Sequence, residues 1–371
     1  MNKAVFFFIG TEAELIKVFP IMVECKNREL LYKVIASGQN DICNSRIVQE
    51  IDSCKVDLTL SSEKSIKKSA VGLARWWLKT YSSAAKAVRG KFTDIDFTKS
   101  VMIVHGDTVS TYMGAKIGKK LGMTVCHVEA GLRSHNLWNP FPEEIDRMLT
   151  SRIARVHFAP GDEPMKNLAG AKGKVINTHQ NTLVDSLRYA NAIPLNRNMS
   201  DLLVGDYFVF VMHRQENLAN KKLFRDIVRH IEQIATRYKC IFILHEITKN
   251  ALKDNGMLEQ LRYNKNFVLL PRVDYFDFMK LLQGARFVIT DGGSNQEELY
   301  YMGKPTLIIR RNTERNEGLG LNARLYNGNV SEIDRFADDY KEMKSGGLGE
   351  ENQPTQLIVD ELENMHLFHL I

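Results

Sequence analysis

Short apolar runs that recur along the chain constrain its fold more than any other feature. Val101–Val104 and Met123–Cys126 have the continuous apolar character of strands buried on both faces, which marks a parallel sheet rather than a sheet with one wet side. Val5–Ile9, Val34–Ala36 and Arg155–Phe158 supply further strand candidates, and the Met123 run extends to His127. After Val5–Ile9, the pair Gly10-Thr11 and the apolar spacing Leu15, Phe19, Met22 read as a tight turn and a helix, the opening of a nucleotide-binding α/β unit. A second series, Tyr207–Met212, Cys240–Leu244, Phe267–Leu270, Phe287–Thr290 and Thr306–Ile309, has helical patterns between its members and predicts a second parallel sheet.

With 371 residues the chain exceeds the size at which one core usually stops growing, so two domains are expected, and a 44% hydrophobic content supports a core in each. The polar stretch 193–201, containing Pro194, reads as the linker between an N-terminal domain (1–192) and a C-terminal domain (193–350). A Gly-rich run at 345–349 then precedes a last amphipathic helix near Thr355–Asn364, within a closing segment 351–371. The stretch Ser65–Val88 reads as a helix bearing Trp76 and Trp77; packing on the domain surface is the expectation and contact with a membrane the alternative.

The net charge of +6, from 50 basic and 44 acidic residues, suits an anionic small molecule, and no motif for nucleic acid accompanies it. Five scattered cysteines, odd in number and without C-x-x-C spacing, point to a reducing cytoplasm and to no metal site. Glu12 and Glu14 interrupt the apolar N-terminus too early for a secretion signal, and no run approaches the ~20 residues of an integral membrane segment. A soluble, cytoplasmic protein is expected.

Chemistry concentrates where the predicted strands end. His105-Gly106-Asp107-Thr108 closes one strand, His127-Val128-Glu129-Ala130-Gly131-Leu132-Arg133 closes the next, and Pro142-Glu143-Glu144-Ile145-Asp146-Arg147 fits a helix start. Asp107, Glu129 and Glu143 thus arrive at successive element ends, a pattern suited to proton transfer. Arg147 lies one turn from Glu143 on the same face; it fixes that carboxylate, or else forms a plain surface ion pair worth ~0.3–0.5 kcal/mol. In the second half, Gly292-Gly293-Ser294 follows the strand ending Thr290-Asp291 and precedes a helix expected near Gln296. Small residues there let backbone N–H groups approach a diphosphate, although such a triplet alone is also an ordinary turn. His213 and Arg214 close the first strand of the second series, as ligands or as a helix cap.

These segments, together with His213-Arg214-Gln215-Glu216, Gly303-Lys304-Pro305 and Thr313-Glu314-Arg315, resemble the UDP-N-acetylglucosamine 2-epimerase family in order and approximate spacing from about Gly10 to Arg315. The resemblance implies an α/β, GT-B-like fold: two Rossmann-like domains with parallel sheets facing across a cleft, with the closing helix crossing back to the first domain. It implies catalytic roles for Asp107, Glu129, Glu143, Arg147 and His213. It further implies that Lys17, Arg214, Phe278, Gly292, Gly293, Ser294, Glu298 and Arg315 bind a UDP-sugar, with Glu298 on the ribose, Arg315 and His213 on the diphosphate, and Phe278 near the uracil; an isolated Phe is otherwise a core residue. The reaction so implied expels UDP by elimination and adds it back after protonation on the other face, inverting C2 and giving UDP-N-acetylmannosamine for surface polysaccharide. It is redox-neutral, and Gly10 lacks a full G-x-G-x-x-G fingerprint, so no cofactor is expected. A homodimer is implied as well.

The sequence also departs from the family. Gly10-Thr11-Glu12-Ala13-Glu14 and Lys17 stand where the family has Gly-Thr-Arg-Pro-Glu and a Lys, so Glu12 reverses a charge near the diphosphate. Gln215 replaces a common second arginine, and Asn316 a common proline. Three other readings follow: a hydrolysing epimerase that releases N-acetylmannosamine and UDP, a GT-B glycosyltransferase, and a degenerate sugar-nucleotide sensor. The three carboxylates favour an epimerase, since a retaining transferase rarely needs three acids.

Overall fold

The computed structural model describes residues 1–61, 70–135, 142–194, 199, 205–310, 316–344 and 353–365. The chain divides into two compact units, Met1–Ser186 with Glu350–Ile371 and Leu187–Gly349.

The first unit is a wholly parallel seven-stranded sheet in the order β3-β2-β1-β4-β5-β6-β7. Its strands are β1 (Val5–Ile9), β2 (Tyr32–Ala36), β3 (Leu58–Thr59), β4 (Val101–His105), β5 (Thr124–Val128), β6 (Val156–Ala159) and β7 (Lys174–Asn177). Every residue of β1 and β4 is buried, as their apolar composition requires of central strands covered by helices on both faces. Helices α1 (Glu12–Asn27), α2 (Arg46–Glu50), α3 (Ala70–Lys91), α4 (Val109–Leu121), α5 (Glu143–Ile153), α6 (Asp162–Asn167) and α7 (Leu183–Ala192) connect or flank them, and the division between the units falls inside α7. Strands β3 and β7 were not legible in the sequence. Leu58–Thr59 is only two residues, and Lys174–Asn177 is half polar at the sheet's edge, so neither presents an apolar run.

Helix α3 turns Trp76 inward, where it is 1% exposed beside Phe6, Phe8 and Val104. Trp77 stacks on Tyr81 and Tyr112 and donates its indole N–H to the Val109 carbonyl at 2.9 Å. Both rings are therefore committed to packing rather than to a membrane; residues 65–69 of the expected helix lie outside the described residues. No helix among the described residues is long and apolar enough to cross a membrane.

The second unit is a parallel six-stranded sheet, β10-β9-β8-β11-β12-β13. It contains β8 (Tyr207–Val211), β9 (Lys239–Leu244), β10 (Phe267–Pro271), β11 (Val288–Thr290), β12 (Thr306–Ile308) and the short β13 (Ala323–Leu325). Helices α8 (Gln215–Leu218), α9 (Lys221–Ala235), α10 (Glu246–Asp254), α11 (Leu258–Tyr263), α12 (Tyr275–Gly284), α13 (Gly293–Tyr301) and α14 (Ser331–Asp339) surround it. Phe208, Phe210, Phe242 and Phe287 from the sheet meet Phe224, Ile227 and Ile231 from α9 in one core. The final helix α15 (Pro354–Asn364) belongs to the first unit. Arg28, the residue that ends α1, pairs there with Asp360 and Glu363 at 2.5 and 2.7 Å.

Candidate functional site

In the first unit the parallel topology brings the ends of β4 and β5 side by side, with His105 opposite Val128 in the register. Gly106, at φ +69°, turns the chain sharply so that Asp107 follows the strand by two residues. Glu129 directly follows β5 and itself takes φ +61°, a left-handed backbone that costs a glutamate of the order of 1–3 kcal/mol and persists only where contacts over-determine it. Those contacts are present. Lys17 on α1 donates to Oε1 of Glu129 at 2.5 Å, Asn181 donates to the same oxygen, and His105 Nε2 lies 3.5 Å from Oε2. Burial holds His105 down to about 3, so the ring facing Glu129 is neutral.

Helix α5 supplies the rest. Pro142 precedes it and Glu143, Glu144 and Asp146 sit in its first turn, as the motif predicted. Arg147 is where the structure corrects the sequence: its guanidinium pairs with Asp107, with a longer contact of 3.7 Å to Glu144, and not with Glu143. The long side chain reaches past the helix surface to a half-buried carboxylate, where a cation is worth more than on an exposed helix face. Burial and the neighbouring charge of Glu129 push Asp107 upward, against the pull of Arg147 and Lys17. Glu144, wholly buried, goes the opposite way. The Ser134 N–H at 3.0 Å, Arg133 and Arg147 together outweigh its burial and keep it below the ordinary carboxylate range.

Glu14, in the segment where the sequence departs from the family, is an architectural group. Its Oε2 accepts the N–H groups of Gly10 and Thr11 at 2.5 and 2.9 Å, and its Oε1 accepts the hydroxyls of Thr108 and Thr111, which ties α1 to the start of α4. The close approach needs a glycine at position 10, where a Cβ would lie 2.2 Å from that of Ser110. Glu12 is half-buried in the first turn of α1 and accepts from Ser45 Oγ at 3.3 Å.

In the second unit Asp291, which directly follows β11, organises the corresponding edge. It is fully buried and accepts the backbone N–H of His213 at 3.0 Å, that of Arg214 at 2.9 Å and the Asn217 amide at 3.1 Å. His213 Nδ1 lies 3.1 Å from its Oδ1, and Arg214 Nε donates to its carbonyl at 3.0 Å. Burial opposes the charge on Asp291, but the His213 and Arg214 contacts prevail and its pKa falls below the ordinary value. His213 therefore does not cap α8, whose N-cap is Arg214; its ring stacks on His245 at 4.5 Å.

The helix after Gly292 begins at Gly293, earlier than the expected start near Gln296, because Gly292 itself takes the N-cap position. Its N–H bonds to Thr290 Oγ1 at 3.0 Å, and a Cβ on Gly292 would press within 2.5 Å of Asn295 Oδ1. Ser294 lies in the first turn of α13. Glu298 is buried and accepts from Asn295 at 3.0 Å. Phe278 on α12 is half-buried, between its core neighbours Phe276 and Met279. Arg315 lies outside the described residues.

Asp107, Glu129 and Arg147 are thus brought into one electrostatic cluster with Lys17, while His213, Arg214 and the start of α13 meet around Asp291. Asn181, His105, Glu144, Arg133 and Asp291 have no role in the reading of the sequence. For Asp291 the strand-end rule that singled out Asp107 was a usable signal. Asn181 follows a strand that could not be recognised, so it carried none.

Two parallel Rossmann-like units, one with a carboxylate cluster at its strand ends and the other with a glycine-led helix start there, define an α/β protein of GT-B-like class. The sequence profile of the UDP-N-acetylglucosamine 2-epimerase family matches residues 23–345, and the chain belongs to that family, whose members are isomerases. It is 36% identical over 242 residues to the UDP-N-acetylglucosamine 2-epimerase of Methanocaldococcus jannaschii, covering 62% of this chain and 66% of that protein. With the Bacillus subtilis UDP-N-acetylglucosamine 2-epimerase it shares 29% identity, covering 97% of this chain and 94% of the relative. A solved structure of the M. jannaschii enzyme in complex with UDP-GlcNAc and UDP superposes with a TM-score of 0.75 at 29% identity, covering 98% of this chain and 100% of that one.

Proposed function

We propose that this protein is a UDP-N-acetylglucosamine 2-epimerase that inverts C2 by eliminating and re-adding UDP, giving UDP-N-acetylmannosamine. The observation that carries this reading is the gathering of carboxylates with divergent proton affinities around one sheet edge and the α5 start. Asp107 is pushed up by burial and Glu129, while Lys17 and Asn181 bind Glu129 as an acceptor.

The C2 hydrogen of the sugar is not acidic, so its removal needs a positioned base and a stabilised leaving group. A carboxylate of the trio Asp107, Glu129 and Glu143 takes that proton as the anomeric bond's electrons leave with UDP, forming 2-acetamidoglucal. A second carboxyl then protonates C2 from the opposite face as a UDP oxygen re-forms the bond to C1. The second unit takes the UDP end. Backbone N–H groups at Gly292, Gly293 and Ser294 and the α13 N-terminus suit the diphosphate, Glu298 the ribose and Phe278 the uracil, while His213, held through Asp291, stabilises the departing charge. Lys17, Arg214 and Arg315 add positive charge. The family resemblance further supports a homodimer working in the cytoplasm and supplying surface polysaccharide.

The test follows one hydrogen. In heavy water, product formed from UDP-N-acetylglucosamine carries deuterium at C2, read by proton NMR, and Glu143→Gln lowers the exchange by ~10²-fold or more while the fold is kept. Sugar transfer to an acceptor with the C2 proton fully retained overturns the reading in favour of a glycosyltransferase. Accumulation of free N-acetylmannosamine identifies the hydrolysing variant.

A further inference from the structure

One face of α5 carries three buried polar groups whose hydrogen-bonding capacity is unused. Glu143 Oε2, Asp146 Oδ2 and Thr150 Oγ1 are all shielded from solvent and without a hydrogen-bond partner. Spacings of three and four residues align them along the helix. Asp146 is 6% exposed, and no side chain among the described residues makes an ion pair with it, because Arg147 beside it is turned to Asp107 and Glu144. A carboxylate left in that state would be costly to bury, whereas a neutral carboxylic acid is far less so.

We propose that Asp146 holds the proton that reloads Glu143 between the two halves of the reaction. Asp146 is then a positioning residue for proton traffic that acts through Glu143 and does not touch the sugar. This rests on the epimerase reading above.

The surroundings favour the neutral form. Burial, then Asp107 at the end of β4, then Glu143 on its own helix raise Asp146 to about 7. Across from it α4 presents Tyr112, itself pushed up by burial and by Asp146. Lys116 of the same helix sits over the faces of Trp77, Tyr81 and Tyr112. The buried His127 of β5 is held down to about 4 by burial and so brings no charge. A carboxyl buried beside two others, with no cation among the described residues paired to it, retains its proton, as one member of a group of like charges does.

Proton balance shows what this accomplishes. Elimination transfers the C2 proton to the base. The proton on Asp146 then moves to Glu143, which delivers it to C2 on the other face during re-addition. That leaves the base with one proton too many and Asp146 with one too few; the base releases its own to water, and water reprotonates Asp146. No redox partner is needed.

Asp146→Asn keeps the shape and removes the titration. In the infrared spectrum of the protein without substrate, near pH 6, the wild type has a protonated-carboxyl band that Asp146→Asn lacks and that titrates close to neutrality. An unchanged band overturns the proposal. In the deuterium assay Asp146→Asn lowers exchange by about tenfold and shifts its pH profile, with Asp146→Glu recovering the profile. A wild-type rate and profile in Asp146→Asn also overturn it. If the wild type itself incorporates no deuterium, the epimerase reading fails instead, and the infrared arm still reports on Asp146. A thermal unfolding midpoint matching the wild type's confirms that both variants are folded.

Discussion

Arg147 reaches across from α5 to pair with Asp107 at the end of β4, so one guanidinium joins the helix start to the sheet edge. Its second contact, 3.7 Å to Glu144, anchors it from below. Through this pair the protonation of Asp107 depends on α5, although 40 residues separate the two positions in sequence (147 minus 107).

Arg147→Ala should therefore leave Asp107 without its cation, let burial raise it further and reduce the C2 exchange by ~10²-fold. Arg147→Lys should recover only part of the loss, because an ammonium cannot reproduce the planar fork. Steady-state rates for both variants against the wild type decide this, and a wild-type rate in Arg147→Lys would mean that charge alone matters.

Lys17→Met should damage stability as well as activity. It leaves Glu129 buried without its cation, with the Asn181 amide still donating and a neutral His105 beside it. Removing one partner of a buried pair costs about 3–5 kcal/mol, here toward the low end because Asn181 remains. Urea unfolding should record that loss, and Lys17→Met with Glu129→Gln should recover much of it.

Asp291→Asn addresses the other unit and has a defined pH signature. The folded-state pKa of Asp291 is depressed, so the stability it contributes is present above its unfolded value near 4 and is lost as the pH falls through the folded value. The variant should be less stable by about 1–3 kcal/mol at neutral pH, with the difference narrowing below about pH 4. UDP affinity measured by calorimetry should fall by about tenfold, since His213 and Arg214 lose their common acceptor. A pH-independent difference in stability would show that the carboxylate charge is not what holds this loop.

The sequence by itself determined the two parallel sheets, because short apolar runs rich in β-branched and aromatic residues, such as Val101–Val104 and Tyr207–Val211, recur between helical patterns as strands do, and strands apolar along their whole length bury their side chains only when covered on both faces. It also determined that Asp107, Glu129, His213 and Gly292 stand at strand ends, since each lies within a few residues of the end of such a run. Partnership was decided by the tertiary structure. Local spacing pointed Arg147 at Glu143, but the strand order puts Asp107 within reach and the guanidinium pairs with it there. The hold of Lys17 and Asn181 on Glu129, the hub at Asp291 and the unused oxygens of α5 all depend on which elements the sheet order makes neighbours. Desolvation and pair formation act through distances in space, and a one-dimensional pattern fixes only distances along the chain.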